Sequence, residues 1–334
     1  MSAAPEVVVV TGASGGVGRA VAHAFGRRGA HVALLARGEP ALETARQEVE
    51  AAGGRALVVP VDVADADAVE AAAARVEREL GPIDVWVNDA MATVFARFVD
   101  VTAAEYRRAT EVTYLGAVHG TMAALKRMTG RDRGTIVQVG SALSYRAIPL
   151  QSAYCGAKFA IRGFTDSIRT ELRHDRSRVH ITMVQLPGVN TTQFNWCRSK
   201  LPEHPQPVPP IYQPEIAAEA IYWAAHHRRR ELWVGYSTLQ AIVGTKLSAL
   251  AGDIYLARKG FSGQQVDGMP VPRDRPDNLF EPRPELAATH GMFDDQATTR
   301  SPQLWASTHR SLIGAAALGV AAAVGAGIGA AARR

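Results

Sequence analysis

Short apolar runs alternating with segments of helical spacing predict a doubly wound α/β sandwich: a parallel sheet covered by helices on both faces, with a C-terminal extension. Three observations carry this. The apolar runs are continuous rather than alternating, as in strands buried on both faces. Each is followed by a stretch with 3.6-residue spacing, which supplies a crossover between parallel strands. And the first run ends in a glycine-rich turn that opens straight into a helix.

Taken in order, Val7–Thr11 reads as the first strand and Val17–Arg28 as the helix after it. His31–Leu35 (strand), Pro40–Ala52 (helix), Arg55–Pro60 (strand) and Asp65–Leu80 (helix) complete one half of the sheet. Ile83–Val87 begins the other half. A long helix is expected over Ala103–Met128, a strand over Thr135–Val139, a helix over Ser152–His174 and a strand over Val179–Gln185. Beyond Pro187 the pattern loosens. Six prolines between Pro202 and Pro214 predict a loop, and Phe194 to Tyr212 is expected to cover a substrate cleft. Pro214–His226 follows as a helix and Glu231–Gly235 as a last strand. The expected division is a catalytic domain over 1–255, a Pro/Asp/Arg-rich linker or loosely packed arm over 256–310 and an apolar helix over 311–334.

Composition narrows the function. With 47% hydrophobic and 21% charged residues in 334, the chain can bury a core. The net charge of +5 comes from scattered arginines rather than a basic patch, which argues against nucleic acid. Two cysteines, Cys155 and Cys197, lie in no metal-ligand spacing. No metal site is expected, and a reducing, cytoplasmic setting without a signal peptide fits best.

Thr11-Gly12-Ala13-Ser14-Gly15-Gly16-Val17-Gly18 is the turn between strand and helix. Glycines there let backbone approach a pyrophosphate, and the helix start presents N–H groups and positive dipole. At the end of the second strand a dinucleotide site selective for NAD places an acid on the ribose 2′-hydroxyl. This chain has Leu35-Ala36-Arg37 instead, so Arg37 is expected to pair with a 2′-phosphate, aided by Ser14; NADP(H) is favoured over NAD(H), with Glu39 close by as a complication. Asp62 and Val63 after the third strand, and Asn88-Asp89-Ala90 after the fourth, stand at successive carboxyl ends, where such sheets bind ligands.

Tyr154 and Lys158 are four residues apart on one helix face, and Ser141 lies just past the fifth strand. A free tyrosine, with a pKa near 10, is a poor acid/base at neutral pH. A nearby ammonium is expected to lower that pKa, with Ser141 holding the substrate oxygen. Cys155 lacks a partner histidine and reads as a packing residue.

TGASGGVG, Asp62, Asn88-Asp89-Ala90, Ser141, Tyr154 and Lys158 together resemble the short-chain dehydrogenase/reductase family over about residues 5–250. The resemblance implies a Rossmann-type three-layer fold and hydride transfer between a nicotinamide and a carbonyl or alcohol substrate. Gly12, Ser14, Gly16, Val17, Gly18, Arg37, Asp62, Val63, Asn88 and Ala90 would hold the cofactor. Tyr154 would act as acid/base and Lys158 would also bind the nicotinamide ribose. Pro187, Gly188, Val189 and Thr191 resemble the motif after strand six and would position the nicotinamide. The family assembles through its two long helices, which implies a homo-oligomer. Two features depart from the pattern. Asn88-Asp89-Ala90-Met91 stands where Asn-Asn-Ala-Gly is usual, and Thr113 occupies the place of a relay asparagine, leaving an altered or rerouted proton relay. A catalytically silent nucleotide-binding regulator or membrane-attached scaffold is the competing reading.

Ser311 to Ala332 carries no charge and ends in Arg333-Arg334. As a helix, its 22 residues would reach about 33 Å, the thickness of a bilayer core, and Gly325 and Gly329 form a GxxxG. Its Ala/Gly content is weakly apolar, so a membrane span and a surface-packed helix both stay open.

Overall fold

The computed structural model describes residues 4–311 apart from Arg273. Its centre is a seven-stranded parallel sheet of β1 (Val7–Thr11), β2 (His31–Ala36), β3 (Arg55–Pro60), β4 (Val85–Asn88), β5 (Thr135–Ser141), β6 (His180–Leu186) and β7 (Glu231–Trp233). Their order across the sheet is β7-β6-β5-β4-β1-β2-β3. The expected fold class is therefore the observed one. The order reverses between β1 and β4, where Thr11 pairs with Asn88. A crevice opens at such a switch point beyond the strands' carboxyl ends.

Helices cover both faces. α1 (Gly16–Gly26), α2 (Glu39–Ala51) and α7 (Pro214–His226) lie on one, α3 (Ala66–Leu80), α4 (Ala103–Thr110), α5 (Gly116–Arg131) and α6 (Ser152–His174) on the other. Val8, Val10, Val32 and Leu34 point into the first core with Phe25 and Ile221; Val7, Val9, Ala33 and Leu35 point into the second with Val76 and Trp86. Burial on both faces is why the strands read as unbroken apolar runs. Local signals set the helix starts: Asp65 caps α3 by accepting from the Ala68 N–H at 3.0 Å, and Thr102 and Glu105 form a capping box at α4.

The helix expected over Ala103–Met128 is interrupted by one π turn, Glu111–Leu115. Such a turn holds one more residue than an α turn. No Pro or Gly lies within it, and periodicity alone passes over it.

The larger correction concerns the C-terminal third. After β7 the chain builds α8 (Tyr236–Leu247) and α9 (Ala249–Lys259), and the residues expected to form a linker or loose arm, 256–310, build the end of α9, the strand Gln265–Pro270 paired antiparallel with Glu203–Pro205, and an arm that folds back over the sheet's carboxyl edge. The arm is not loose. Leu279 and Phe293 are fully buried, and Asp277 joins an ion network in which Arg198 bridges it to Glu105 (2.8 and 3.2 Å) while Lys200 holds the other Glu105 oxygen. Individual polar anchors, rather than a periodic apolar face, fix this segment. Among the described residues no helix is long and apolar enough to cross a membrane. The apolar helix expected at the C-terminus falls almost wholly outside the described residues.

Candidate active site

A cavity of about 640 Å³ runs along the carboxyl edge of the sheet, from β2 past β1 and β4 to β5 and β6. The glycine-rich turn forms its floor. Gly12 has φ +76°, and a Cβ there would meet the Ala90 backbone at 2.9 Å. Only glycine serves, because the β1 and β4 ends converge at this point. Thr11 Oγ1 stitches them together, accepting from the Asp89 and Ala90 N–H groups at 3.0 and 3.1 Å. The turn, the helix start behind it and the elongated cavity have the shape a dinucleotide needs.

Most of the residues singled out in the sequence line this cavity: Gly12, Ser14, Gly16, Val17, Arg37, Asp62, Val63, Ala90, Ser141, Tyr154, Lys158, Pro187, Gly188, Val189 and Thr191. Three do not. Gly18 packs under the turn, where a Cβ would collide with the Gly12 backbone. Asn88 is turned into the protein, accepting from Trp86 Nε1 (2.8 Å) and donating to Gln138 Oε1 and Thr121 Oγ1 (both 3.1 Å). Thr113 is fully buried; its hydroxyl accepts from the Ala92 N–H at 2.9 Å and donates to the Ala92 carbonyl at 2.8 Å. That exchange ties the π turn to the chain after β4 and leaves the hydroxyl no hydrogen for a relay.

Lys158 and Ser141 are buried, and Tyr154 is half-buried beside them. Lys158 Nζ donates to the Val139 carbonyl at 2.6 Å and lies 5.4 Å from the centre of the Tyr154 ring. Ser141 Oγ accepts from the Leu143 N–H at 3.1 Å, which orients the hydroxyl at the strand end. Burial lowers Lys158 to about 8, with the Asp89 carboxyl opposing. Burial also raises Tyr154 above its ordinary value, the Ser141 hydroxyl pulls it back, and the Cys155 and Asp89 groups push it further up. The expected lowering of Tyr154 is thus not met in the protein alone. Burial of the phenol, which disfavours the tyrosinate, is the main cause, and the nearby Asp89 carboxyl adds to it. Burial lifts the Cys155 thiol to about 11, in keeping with a packing role.

Asp89 was not among the residues expected to act, yet it lines the cavity and faces Lys158. Burial pushes its carboxyl up to about 7, while Lys158 and the Gly18 N–H draw it down. A carboxyl raised in the folded state favours folding below its ordinary value of 3.8 and loses that contribution as pH climbs to about 7. Asp89→Asn is therefore expected to raise the thermal midpoint at pH 8 and to change it little at pH 4. A difference independent of pH would refute the assignment.

The arm closes the cavity at the β2 end. Gly16 N donates to the Ala288 carbonyl at 2.9 Å, and Thr192 Oγ1 to the Leu286 carbonyl at 2.5 Å. Pro282, Arg283, Pro284 and Ala287 join the lining. Arg37 donates to the carbonyls of Asn278, Leu279 and Phe280. Asp62 accepts from Arg108 at 2.5 Å and from the Ala64 N–H at 3.0 Å. At the opposite end, Phe95, Ile148, Phe194, Val208, Tyr255 and Leu256 give a largely apolar wall. The Phe194–Tyr212 segment supplies part of it, as expected; α8 and α9 supply another part that the sequence reading missed, because no motif marks them.

The sequence model of the short chain dehydrogenase family matches residues 6–201. The chain belongs to that family. This short-chain dehydrogenase is 36% identical over 234 residues to the uncharacterized oxidoreductase YxnA of Bacillus subtilis, covering 69% of this chain and 65% of that protein's length, a little under two thirds. It superposes on an alcohol dehydrogenase from Thermococcus sibiricus complexed with 5-hydroxy-NADP (TM-score 0.60, 27% identity, 69% of this chain and 95% of that one). A metagenomic short-chain oxidoreductase in complex with NADP aligns similarly (TM-score 0.58, 27% identity, 69% and 96%). Those two structures leave about three tenths of this short-chain dehydrogenase without a counterpart.

Proposed function

We propose that this oxidoreductase uses NADP(H) to interconvert a carbonyl and an alcohol, with Tyr154 as acid/base. The observation that carries the reading is the convergence of Ser141, Tyr154 and Lys158 on one end of a glycine-floored cavity. The NADP complexes of the two structures above support the choice of cofactor. Gly12, Ser14, Gly16 and Val17 would hold the diphosphate, and Pro187, Gly188, Val189 and Thr191 the nicotinamide. A bound nicotinamide supplies or accepts the hydride.

The protein's own groups manage the oxygen and its proton. Ser141 Oγ donates to the carbonyl oxygen and fixes it beside the Tyr154 phenol. As charge develops on that oxygen, Tyr154 O–H donates its proton; in the oxidative direction the Tyr154 phenolate oxygen takes the proton from the alcohol. Lys158, with a lowered pKa, sits where its charge stabilises a tyrosinate, and the apolar wall keeps bulk water from competing. Thr113 has no part in reprotonation. The walls favour an apolar or bulky carbonyl compound. Exposed Leu115 and Met122 at α5 and Phe159 on α6 support pairing of two copies through these helices.

The test is a pair of fluorescence titrations of the full chain with NADPH and NADH, followed by a panel of apolar ketones and aldehydes with the tighter nucleotide. NADPH is expected to bind at least tenfold better, ~1.4 kcal/mol, and to be oxidised by some of the panel. Tight binding with no turnover on any carbonyl would favour the catalytically silent reading, which the turned-away Thr113 also favours.

A further inference from the structure

We infer that the 2′-phosphate of the cofactor is read by Arg283 of the C-terminal arm rather than by Arg37 at the end of β2; this rests on the NADP reading above. Three arginines line the cavity: Arg37, Arg146 and Arg283. Arg146 is held by Asp253 at 2.6 Å and by the Ala249 carbonyl, beside α9. Arg37 stands at the expected place, but its Nη1 donates to the Phe280 carbonyl at 2.7 Å and the Leu279 carbonyl at 3.4 Å, and its Nη2 donates to that of Asn278. Its charge faces Arg108 as well as the carboxylates of Asp62 and Glu281. A guanidinium bound in this way holds the arm down with both of its Nη groups engaged.

Arg283 is placed differently. Its Nε donates to the Asp277 carbonyl at 3.0 Å. Among the described residues neither Nη has a hydrogen-bond or ion-pair partner, and the side chain is half-buried on the cavity wall. Pro282 and Pro284 flank it, and their rings lie over Gly38, so a Cβ on Gly38 would sit 3.5 and 3.7 Å from them. That places Arg283 directly over the β2 end, where a dinucleotide's adenosine ribose belongs. Proline on both sides fixes φ at 282 and 284 and restricts the residue between, so the guanidinium is presented from rigid backbone. A planar fork with both Nη groups available, held at that spot, is suited to bidentate phosphate contact.

The two arginines then have separable roles. In fluorescence titrations of the full chain, Arg283→Ala and Arg283→Gln are each expected to weaken NADPH at least tenfold and to leave NADH within twofold. Arg37→Ala, which frees the arm that carries Arg283, is expected to weaken NADPH at least tenfold as well and, unlike the Arg283 variants, to weaken NADH by more than twofold. Adenosine 2′,5′-bisphosphate, which carries no nicotinamide, should follow NADPH across the variants, while 5′-AMP follows NADH. If wild type binds NADH as tightly as NADPH, the NADP reading itself falls, and the inference with it. If wild type prefers NADPH and the Arg283 variants keep that preference, or Arg37→Ala alone loses it, the NADP reading stands and the assignment to Arg283 is overturned.

Discussion

Tyr154→Phe is expected to lower carbonyl turnover by about three orders of magnitude while leaving fold and nucleotide affinity within twofold of wild type. The substitution removes one oxygen from a half-buried ring and leaves Lys158 on the Val139 carbonyl and Ser141 on the Leu143 N–H. What disappears is the phenol that faces Ser141 in the cavity. Ser141 can still hold the carbonyl oxygen, and it has no proton acidic enough to replace the phenol's. Turnover and nucleotide titration on the same preparation decide the matter. A variant that retains more than about a tenth of the activity would place the acid/base elsewhere.

Asn88→Ala is expected to cost about 3–5 kcal/mol of folding stability, because it orphans several buried groups at once. The Trp86 indole N–H, fully buried, loses its acceptor, and Gln138 Oε1 loses the Asn88 donor. Thr121 Oγ1 loses another donor and keeps its bond to the Ala117 carbonyl. Against a whole-domain stability of about 5–15 kcal/mol this is a large fraction. Asn88→Asp keeps an acceptor for Trp86, yet sets an acid against Gln138 Oε1, so it offers little rescue. Chemical denaturation reads the loss. A loss under about 1 kcal/mol, joined to a tenfold weaker affinity for NADPH, would return Asn88 to the cofactor site where the motif first suggested it belonged.

These two residues show how far the chain's chemistry is legible from its order alone. Sheet strands are unbroken apolar runs with helices between them, and both faces of each strand need the same kind of side chain, so their positions read within a few residues. Tyr154, Lys158 and Ser141 read equally well, since a four-residue spacing on a helix puts two side chains on one face wherever that helix packs. Asn88 and Thr113 are another matter. Their types and places are plain in the sequence, but which way each side chain turns depends on Trp86, Gln138 and Ala92, which converge on them only in the folded chain. The arm is hidden for a related reason. Its anchors are backbone carbonyls meeting Arg37 and Gly16 and scattered ion pairs, none of which leaves a periodic pattern.

The π turn over Glu111–Leu115 amounts to a single-residue insertion in the helical run from Ala103 to Arg131. The π turn takes up that residue within one widened turn, so the segments before and after it keep the register of an unbroken α-helix. Carried along a regular α-helix instead, the extra residue would turn everything downstream through about 100°. Gly120 would leave its seat against Trp86, where a Cβ would lie 2.6 Å from the indole nitrogen, and a residue with a side chain would arrive in its place. The widened turn is what lets this segment keep both its extra residue and its contact on the sheet.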